Sequence, residues 1–299
     1  MGGIYARDDL FLEAADLEAG ADVLLFGAGA FGLRALAMLG RLRPDVRVVA
    51  FLDSRRLGPL EGLPVLRPSA APNGPRILIT TPSWHALAVE LLDAGRDRFS
   101  VLRVCGESDH PVKIYSPAQS GLVYVRNAKA ASTSLIEALE AHGPLTVRDS
   151  FRDLGLPPDR LSFSFVRNPF DRAVSVYEMA FGAGGNILGQ TLSRLWGGRE
   201  LDFPGFMAFV DCEPAWAMDS HYKPQYFFIP QGLGFLGRVE RMAQDAAQLS
   251  ALAGTALAVG HLHRSRRRSS QYREYYSSQT RAIAERVYAG DAQRFGYEF

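Results

Sequence analysis

The sequence predicts an α/β chain of two domains, and three observations carry that prediction. Its 299 residues suffice for two domains of about 100 to 200 residues, each with its own core. Near the start, a buried-strand run passes through closely spaced glycines into a helical pattern and then into a second strand. Twice more, at 121–141 and 161–181, a strand run feeds directly into a helix, with a cation at each junction and hydroxyls on the helix that follows. The expected division is residues 1–110 and residues 111–299.

Composition narrows the function classes. The 47% hydrophobic and 22% charged fractions are those of an ordinary globular chain. A net charge of +1 gives no bulk preference for anions, so anion binding must come from local clusters. The absence of a repeated basic and aromatic pattern argues against nucleic acid as a partner. Cys105 and Cys212 are too few and too far apart for a disulfide framework or a zinc site, and no other cluster calls for a metal. The first 20 residues carry acids and lack a long apolar core, unlike a secretory signal. Ala6 stands where a myristoylation signal places Ser or Thr. No run of about 18 apolar residues occurs, so no membrane span is expected and the location expected is cytoplasmic.

In the first domain, VLLFGAGAFG (23–32) is a buried strand leading into Gly27, Gly29 and Gly32 in G-x-G-x-x-G spacing. Leu33, Leu36, Ala37 and Leu39 then recur at helical spacing, and VRVVAFLD is a second strand ending at Asp53. This is one βαβ unit of a Rossmann-like parallel sheet. The glycines permit a tight turn and close approach of a phosphate to a helix N-terminus, and Asp53 can accept a ribose hydroxyl. RILITTPS, WHALAVELLDAG and FSVLRV add strand, helix and short strand, for roughly four or five strands in all. The bland alternative is a glycine turn kept for packing alone. The domain resembles the small N-terminal modules of sugar-modifying enzymes in its G-A-G-x-x-G turn, its F-[IL]-D strand end and the GLPVL step at 62–66. That resemblance covers residues 21–105 and implies a nucleotide or nucleotide-sugar ligand.

Beyond a polar link at 106–120, GLVYVR (121–126) reads as a central strand and 132–141 as a helix with Leu135, Ile136 and Leu139 inward. The loop between them presents Lys129, the amides near Ala130 and Ala131, and the hydroxyls of Ser132, Thr133 and Ser134 to the positive end of that helix. The loop has no glycine and is not the G-x-x-x-x-G-K-[ST] loop of nucleotide kinases. The hydroxyls can alternatively be simple N-caps. Of 33 basic residues only three are lysine, at 113, 129 and 223. A chain this biased toward arginine keeps lysine most plausibly where a compact ammonium serves better than a planar guanidinium.

LSFSFVR (161–167) is the next strand, ending on Arg167, and NPFDRAVSVYEMAF is a helix with Asn168 as N-cap and Pro169 at its first position. Phe170, Val174, Tyr177 and Phe181 form its buried stripe, and Asp171, Ser175 and Glu178 a neighbouring polar row. Arg167 and Ser175 then face one cleft suited to a second phosphate. Asp171 is expected to cap the helix or to pair with Arg172.

K-x-x-S-T-S after one strand, followed by R-N-P-F-x-R-x-x-S-x-Y after the next, resembles the paired cofactor motifs of sulfotransferases, closest to the carbohydrate sulfotransferase family. HYKPQ (221–225), LGRVERMAQD (236–245) and the C-terminal QYREYYSSQT and RFGYEF agree with that likeness, which covers residues 120–299. It implies 3′-phosphoadenosine 5′-phosphosulfate (PAPS) as donor, a P-loop-like parallel sheet with flanking helices, and transfer of a sulfuryl group to a hydroxyl or amine, with a sugar-containing acceptor favoured. Carried over by position, Lys129 and the Ser132, Thr133, Ser134 run hold the 5′-phosphosulfate, with Ala130 and Ala131 beside them, and Arg167 and Ser175 hold the 3′-phosphate. Asn127 stands where relatives usually have proline, and Ala130-Ala131 where many have Thr-Gly.

The chemistry expected is positioning plus stabilisation of charge on the leaving oxygen, with Lys129 as donor to that charge. His221 in DSHYKPQ is the first choice of base, since histidine suits proton abstraction near neutral pH. His142, after the first helix, is the competitor. The basic run Arg264, Arg266, Arg267 and Arg268, flanked by His261 and His263, is expected to close over the donor, with Arg266 contacting it, or to draw in an anionic acceptor. The expected partner is a small-molecule or glycan acceptor. Two other classes compete: a nucleotide-binding sensor or scaffold without chemistry, and a nicotinamide (NAD)-dependent oxidoreductase built on the glycine turn, which leaves the second half unexplained.

Overall fold

The computed structural model describes residues 3–107, 109–151, 156–157, 159–183, 185–260 and 269–299. The chain falls into two compact units. The first comprises residues 1–105 with 184–201 and 212–219, and the second 106–183, 202–211 and 220–299. The helices in chain order are α1 (Ala30–Leu42), α2 (Trp84–Asp93), α3 (Ser132–Glu140), α4 (Pro169–Phe181), α5 (Ile187–Leu195), α6 (Phe203–Asp211), α7 (Met242–Ala253), α8 (Ser278–Val287) and α9 (Ala289–Phe295). None of the described helices is long and apolar enough to cross a membrane.

The first unit is built on a parallel sheet of β1 (Phe11–Leu12), β2 (Asp22–Phe26), β3 (Arg47–Leu52), β4 (Val65–Leu66), β5 (Arg76–Ile79) and β6 (Phe99–Leu102), in the order β1-β6-β5-β2-β3-β4. The strand order reverses between β2 and β5, so the turns after these two strands open at the same carboxyl edge. Val23, Leu24 and Leu25 are fully buried, as a central parallel strand covered on both faces requires, and Ala35 and Leu39 of α1 close one side. The sheet exceeds the four or five strands expected. Its added edge β1 is only two residues long, too short to show a period, and is held by Val101 N donating to Leu10 O at 2.7 Å and Arg103 N to Leu12 O at 2.9 Å.

Two later segments complete this unit. The Trp84 indole, fully buried, donates to Ala217 O at 2.7 Å. The Tyr5 hydroxyl donates to Glu213 Oε1 at 2.6 Å, and His85 Nε2 lies 2.8 Å from the same oxygen. Such pairings, more than 120 residues apart in the chain, leave no trace in local pattern.

The second unit carries a sheet of β7 (Pro111–Pro117), β8 (Leu122–Val125), β9 (Leu145–Phe151), β10 (Leu161–Val166) and β11 (Phe235–Arg238), in the order β11-β10-β8-β7-β9. β8, β10 and β11 run parallel, but β7 is antiparallel to both β8 and β9. The sheet is therefore mixed rather than wholly parallel. β7 lies inside the stretch expected to be a polar link, and its alternation is visible only in part: Val112 and Ile114 are buried while Lys113 between them is exposed.

α4 begins as its sequence dictates, with Asn168 Oδ1 accepting from Phe170 N at 3.0 Å and Asp171 N at 3.4 Å, and Pro169 at the first position. The expected stripe of Phe170 and Val174 is buried, but so are Asp171, Arg172, Ala173, Ser175 and Val176. Buried on all sides, the first two turns of α4 can place polar groups only where the fold gives them partners.

Candidate active site

The loop after β8 is bent in two places. Lys129 has φ +64° and Ala131 φ +59°, left-handed conformations that cost a residue with a Cβ about 1–2 kcal/mol each. Ala131 is the N-cap of α3 and offers no side-chain cap, so the first-turn amides of α3 remain directed at the loop. Ser132 and Ser134 are buried and Thr133 is exposed, so the three hydroxyls do not act as one set. The loop carbonyl of Asn127 accepts from Ala130 N at 3.3 Å, while its side-chain amide donates to Phe165 O and to Gln225 Oε1, both at 2.9 Å.

Lys129 is half-buried, and its amine is pushed down to about 8 by burial and by the nearby Arg167 and Arg172 guanidinium groups, against a smaller opposing pull from Glu178. Among the described residues no carboxylate forms an ion pair with it. Lys129 and the two guanidinium groups, of which Arg167 is paired with Asp171, make the loop a place where an anion is favoured.

Arg167, at the end of β10, reaches that same loop, with Nη1 3.5 Å from Lys129 O. Its Nε donates to Asp171 Oδ2 at 2.7 Å, so Asp171 pairs with Arg167, a partner that the sequence does not suggest. Residues four apart share a helix face, whereas adjacent residues do not. Ser175, buried at 8% exposure, follows Asp171 on this face one turn later. The structure thus brings Lys129, Arg167, Ser175 and the start of α3 into one unit.

His221 enters through the loop that precedes Gln225. Arg172, 1% exposed, donates from Nε to Ala128 O at 2.9 Å, from Nη1 to Lys223 O at 2.8 Å and from Nη2 to Ser220 O at 3.1 Å. The carbonyls on either side of His221 are therefore tied to the residue next to Lys129. Tyr288 OH donates to Tyr222 O at 3.0 Å and fixes the same loop from α9's side. His142 is placed differently, just past the C-terminal end of α3, so the length of the helix, about 13 Å, separates it from the Lys129 loop. Lys223, the second rare lysine, is 1% exposed, with its ammonium 5.4 Å from the Phe227 ring centre.

Gln225 was not a sequence candidate, although it ends the HYKPQ segment. Fully buried, it accepts from Arg167 N at 2.9 Å, donates to Arg167 O at 2.8 Å, and takes its place beside Asn127. Asp291 Oδ2 accepts from Gln225 N at 2.8 Å; burial raises the Asp291 carboxyl above the ordinary range despite the amides of Gln225 and Tyr226 and the charge of Arg172. The signal for Gln225 lay in a motif read for its histidine; for Asp291 there was none. A cleft beside this loop is lined by Lys113, Arg126, Ala128, Asp149, Ser220 and Phe228, with Lys113 Nζ 3.7 Å from Asp149 Oδ1. Arg264, Arg266, Arg267, Arg268, His261 and His263 lie outside the described residues.

In the first unit, Gly27 has φ +115°, and a Cβ there would meet Thr81 Cγ2 at 2.7 Å. A Cβ on Gly32 would meet Gly27 O at 2.0 Å, whereas on Gly29 it would meet no described atom within 4 Å. Two of the three glycines are thus demanded by the turn and its packing. Asp53 accepts from Ala28 N at 3.0 Å and from Arg55 N and Arg56 N at 2.8 Å. Burial pushes its carboxyl up, but the amides of Arg56, Arg55 and Ala28 outweigh this and hold it below the ordinary range.

A comparison with known families matches residues 118–298, more than half of the chain, to the family described as "Sulfotransferase family". No curated protein and no solved structure is matched by the chain. The matched span holds the Lys129 loop, Arg167, Ser175 and the His221 loop, which the fold has already brought into one unit, and the chain belongs to the sulfotransferase family.

Proposed function

We propose that the second unit transfers a sulfuryl group from PAPS to a hydroxyl or amine of a sugar-containing acceptor. The observation that carries this reading is the Lys129 ammonium, half-buried with Arg167 and Arg172 beside it and no carboxylate paired to it among the described residues. PAPS is anionic at two places, its phosphosulfate and its 3′-phosphate, and the two strand-to-helix junctions supply two matching groups. Lys129 with the first-turn amides and the hydroxyls of Ser132, Thr133 and Ser134 suits the phosphosulfate, and Arg167 with Ser175 suits the 3′-phosphate.

In this reading Lys129 donates to the oxygen that gains charge as the sulfuryl group leaves, and His221 accepts the acceptor's proton. The cleft lined by Lys113, Arg126, Asp149 and Ser220 gives the acceptor, in this reading, an approach beside the His221 loop. A nucleotide at the first unit's turn would approach Gly29 and would find acceptor capacity left on Oδ2 of the Asp53 carboxylate, which already accepts from three amides.

The test is transfer of labelled sulfate from PAPS to a panel of saccharide, simple hydroxyl and amine acceptors, with the product identified by mass spectrometry. Lys129→Ala should lower kcat by about 100- to 1000-fold, as loss of a donor to developing charge does, while affinity for adenosine 3′,5′-bisphosphate changes far less. A parent protein that neither transfers sulfate nor cleaves PAPS would sink the reading, and so would Lys129→Ala with parental turnover.

A further inference from the structure

Arg172 touches both halves of the candidate site through backbone carbonyls. Its guanidinium is 1% exposed and spends three N–H groups on carbonyls: Ala128 O next to Lys129, and Ser220 O and Lys223 O on either side of His221. A guanidinium is planar and holds its donors in a rigid fork, so the spacing of those carbonyls is set by its own bond lengths. A lysine cannot take over that task, because its side chain reaches less far and its donors diverge from a single nitrogen.

We propose that Arg172 is a positioning residue that clamps the Lys129 loop and the His221 loop into one rigid piece and so sets the separation between the donor-side cation and the acceptor-side base. This rests on the sulfuryl-transfer reading above. Its consequence is that ligand held at the Lys129 loop stiffens the His221 loop through Arg172, and that loss of the fork slows the reaction without weakening donor binding.

The experiment compares the parent with Arg172→Lys, which keeps the charge, and Arg172→Met, which keeps the bulk. Steady-state kinetics with PAPS are measured together with amide hydrogen exchange, with and without adenosine 3′,5′-bisphosphate. In Arg172→Lys we expect kcat to fall about 10- to 100-fold, as small misplacements of reacting groups do, with the donor KM within about threefold of the parent. Adenosine 3′,5′-bisphosphate should protect residues 126–134 in every folded form, but residues 220–225 in the parent alone.

Parental kcat with protection of 220–225 retained in Arg172→Lys overturns the proposal. So does a raised donor KM at unchanged kcat, which would make Arg172 a donor-binding group. Failure of both variants to fold also overturns it, since the residue would then hold the fold rather than the reaction geometry, and so does a parent in which 220–225 gains no protection. A parent that shows no transfer and no PAPS cleavage fails the sulfuryl-transfer reading, while the exchange comparison still decides the clamp.

Discussion

Lys129 is a cation that its own surroundings resist, and that makes its protonation a measurable property. Burial, Arg167 and Arg172 lower its amine to about 8 from the ordinary 10.5, and Glu178 offsets only part of this. Between those two values the unfolded chain binds a proton that the folded chain has lost, so this residue makes stability rise with pH across that window and lowers it below about 8. Turnover should respond in the opposite sense, because only the ammonium can donate to a developing charge. We expect kcat/KM for PAPS to fall above about pH 8, and Lys129→Arg, which cannot deprotonate in this range, to be slower but to lose that alkaline limb. An alkaline limb unchanged in Lys129→Arg would assign it to another group. Lys129 was legible because K-x-x-S-T-S follows a strand. The pairing of Asp171 with Arg167 was not, since it requires knowing which side of α4 faces the loop.

At the scale of the element, the turn into α3 shows what a motif does and does not specify. The strand, the loop and the helix stand where the run of buried residues and the first-turn hydroxyls place them. The left-handed backbone at Ala131 does not follow from alanine, which disfavours it; the surrounding loop imposes it. Relief of that strain is offset in part by the greater freedom of glycine in the unfolded chain, so Ala131→Gly should stabilise the protein by about 0.5–1 kcal/mol. Chemical denaturation monitored by far-UV circular dichroism checks this, and a lower midpoint would show that the Ala131 Cβ contributes packing that outweighs the strain. β7 shows the converse failure of local reading: a strand bounded by prolines, with one exposed lysine, has the composition of a link, and only pairing with β8 and β9 makes it a strand.

For the whole molecule, the chain order is not the order of its compact parts. Residues 184–201 and 212–219 return to the first unit, where α5 packs against α2 and the Tyr5, His85 and Glu213 cluster is completed. A fragment of residues 1–110 would therefore leave His85 and Tyr5 without the Glu213 carboxylate and Trp84 without the Ala217 carbonyl. Each lost hydrogen bond removes about 0.5–1.5 kcal/mol, and the uncovered Tyr5 and Trp84 rings lose burial besides, together a large share of a small domain's stability. We expect this fragment to lack a cooperative thermal transition and a dispersed amide spectrum. A fragment that melts cooperatively near the temperature of the full chain would show that the returning segments are dispensable.

Local pattern suffices for the α/β class, the two strand-to-helix junctions that carry Lys129 and Arg167, and the family, because each rests on buried runs, helix caps and residue spacing within one or two turns. Tertiary structure alone decided that Arg172 joins the Lys129 loop to the loop of His221, that Gln225 and Asp291 brace both junctions, and that late segments complete the first unit. The physical reason is the same in each case. A buried donor or acceptor must find a partner, and which partner it finds depends on the distance between elements in space, which separation along the chain does not encode.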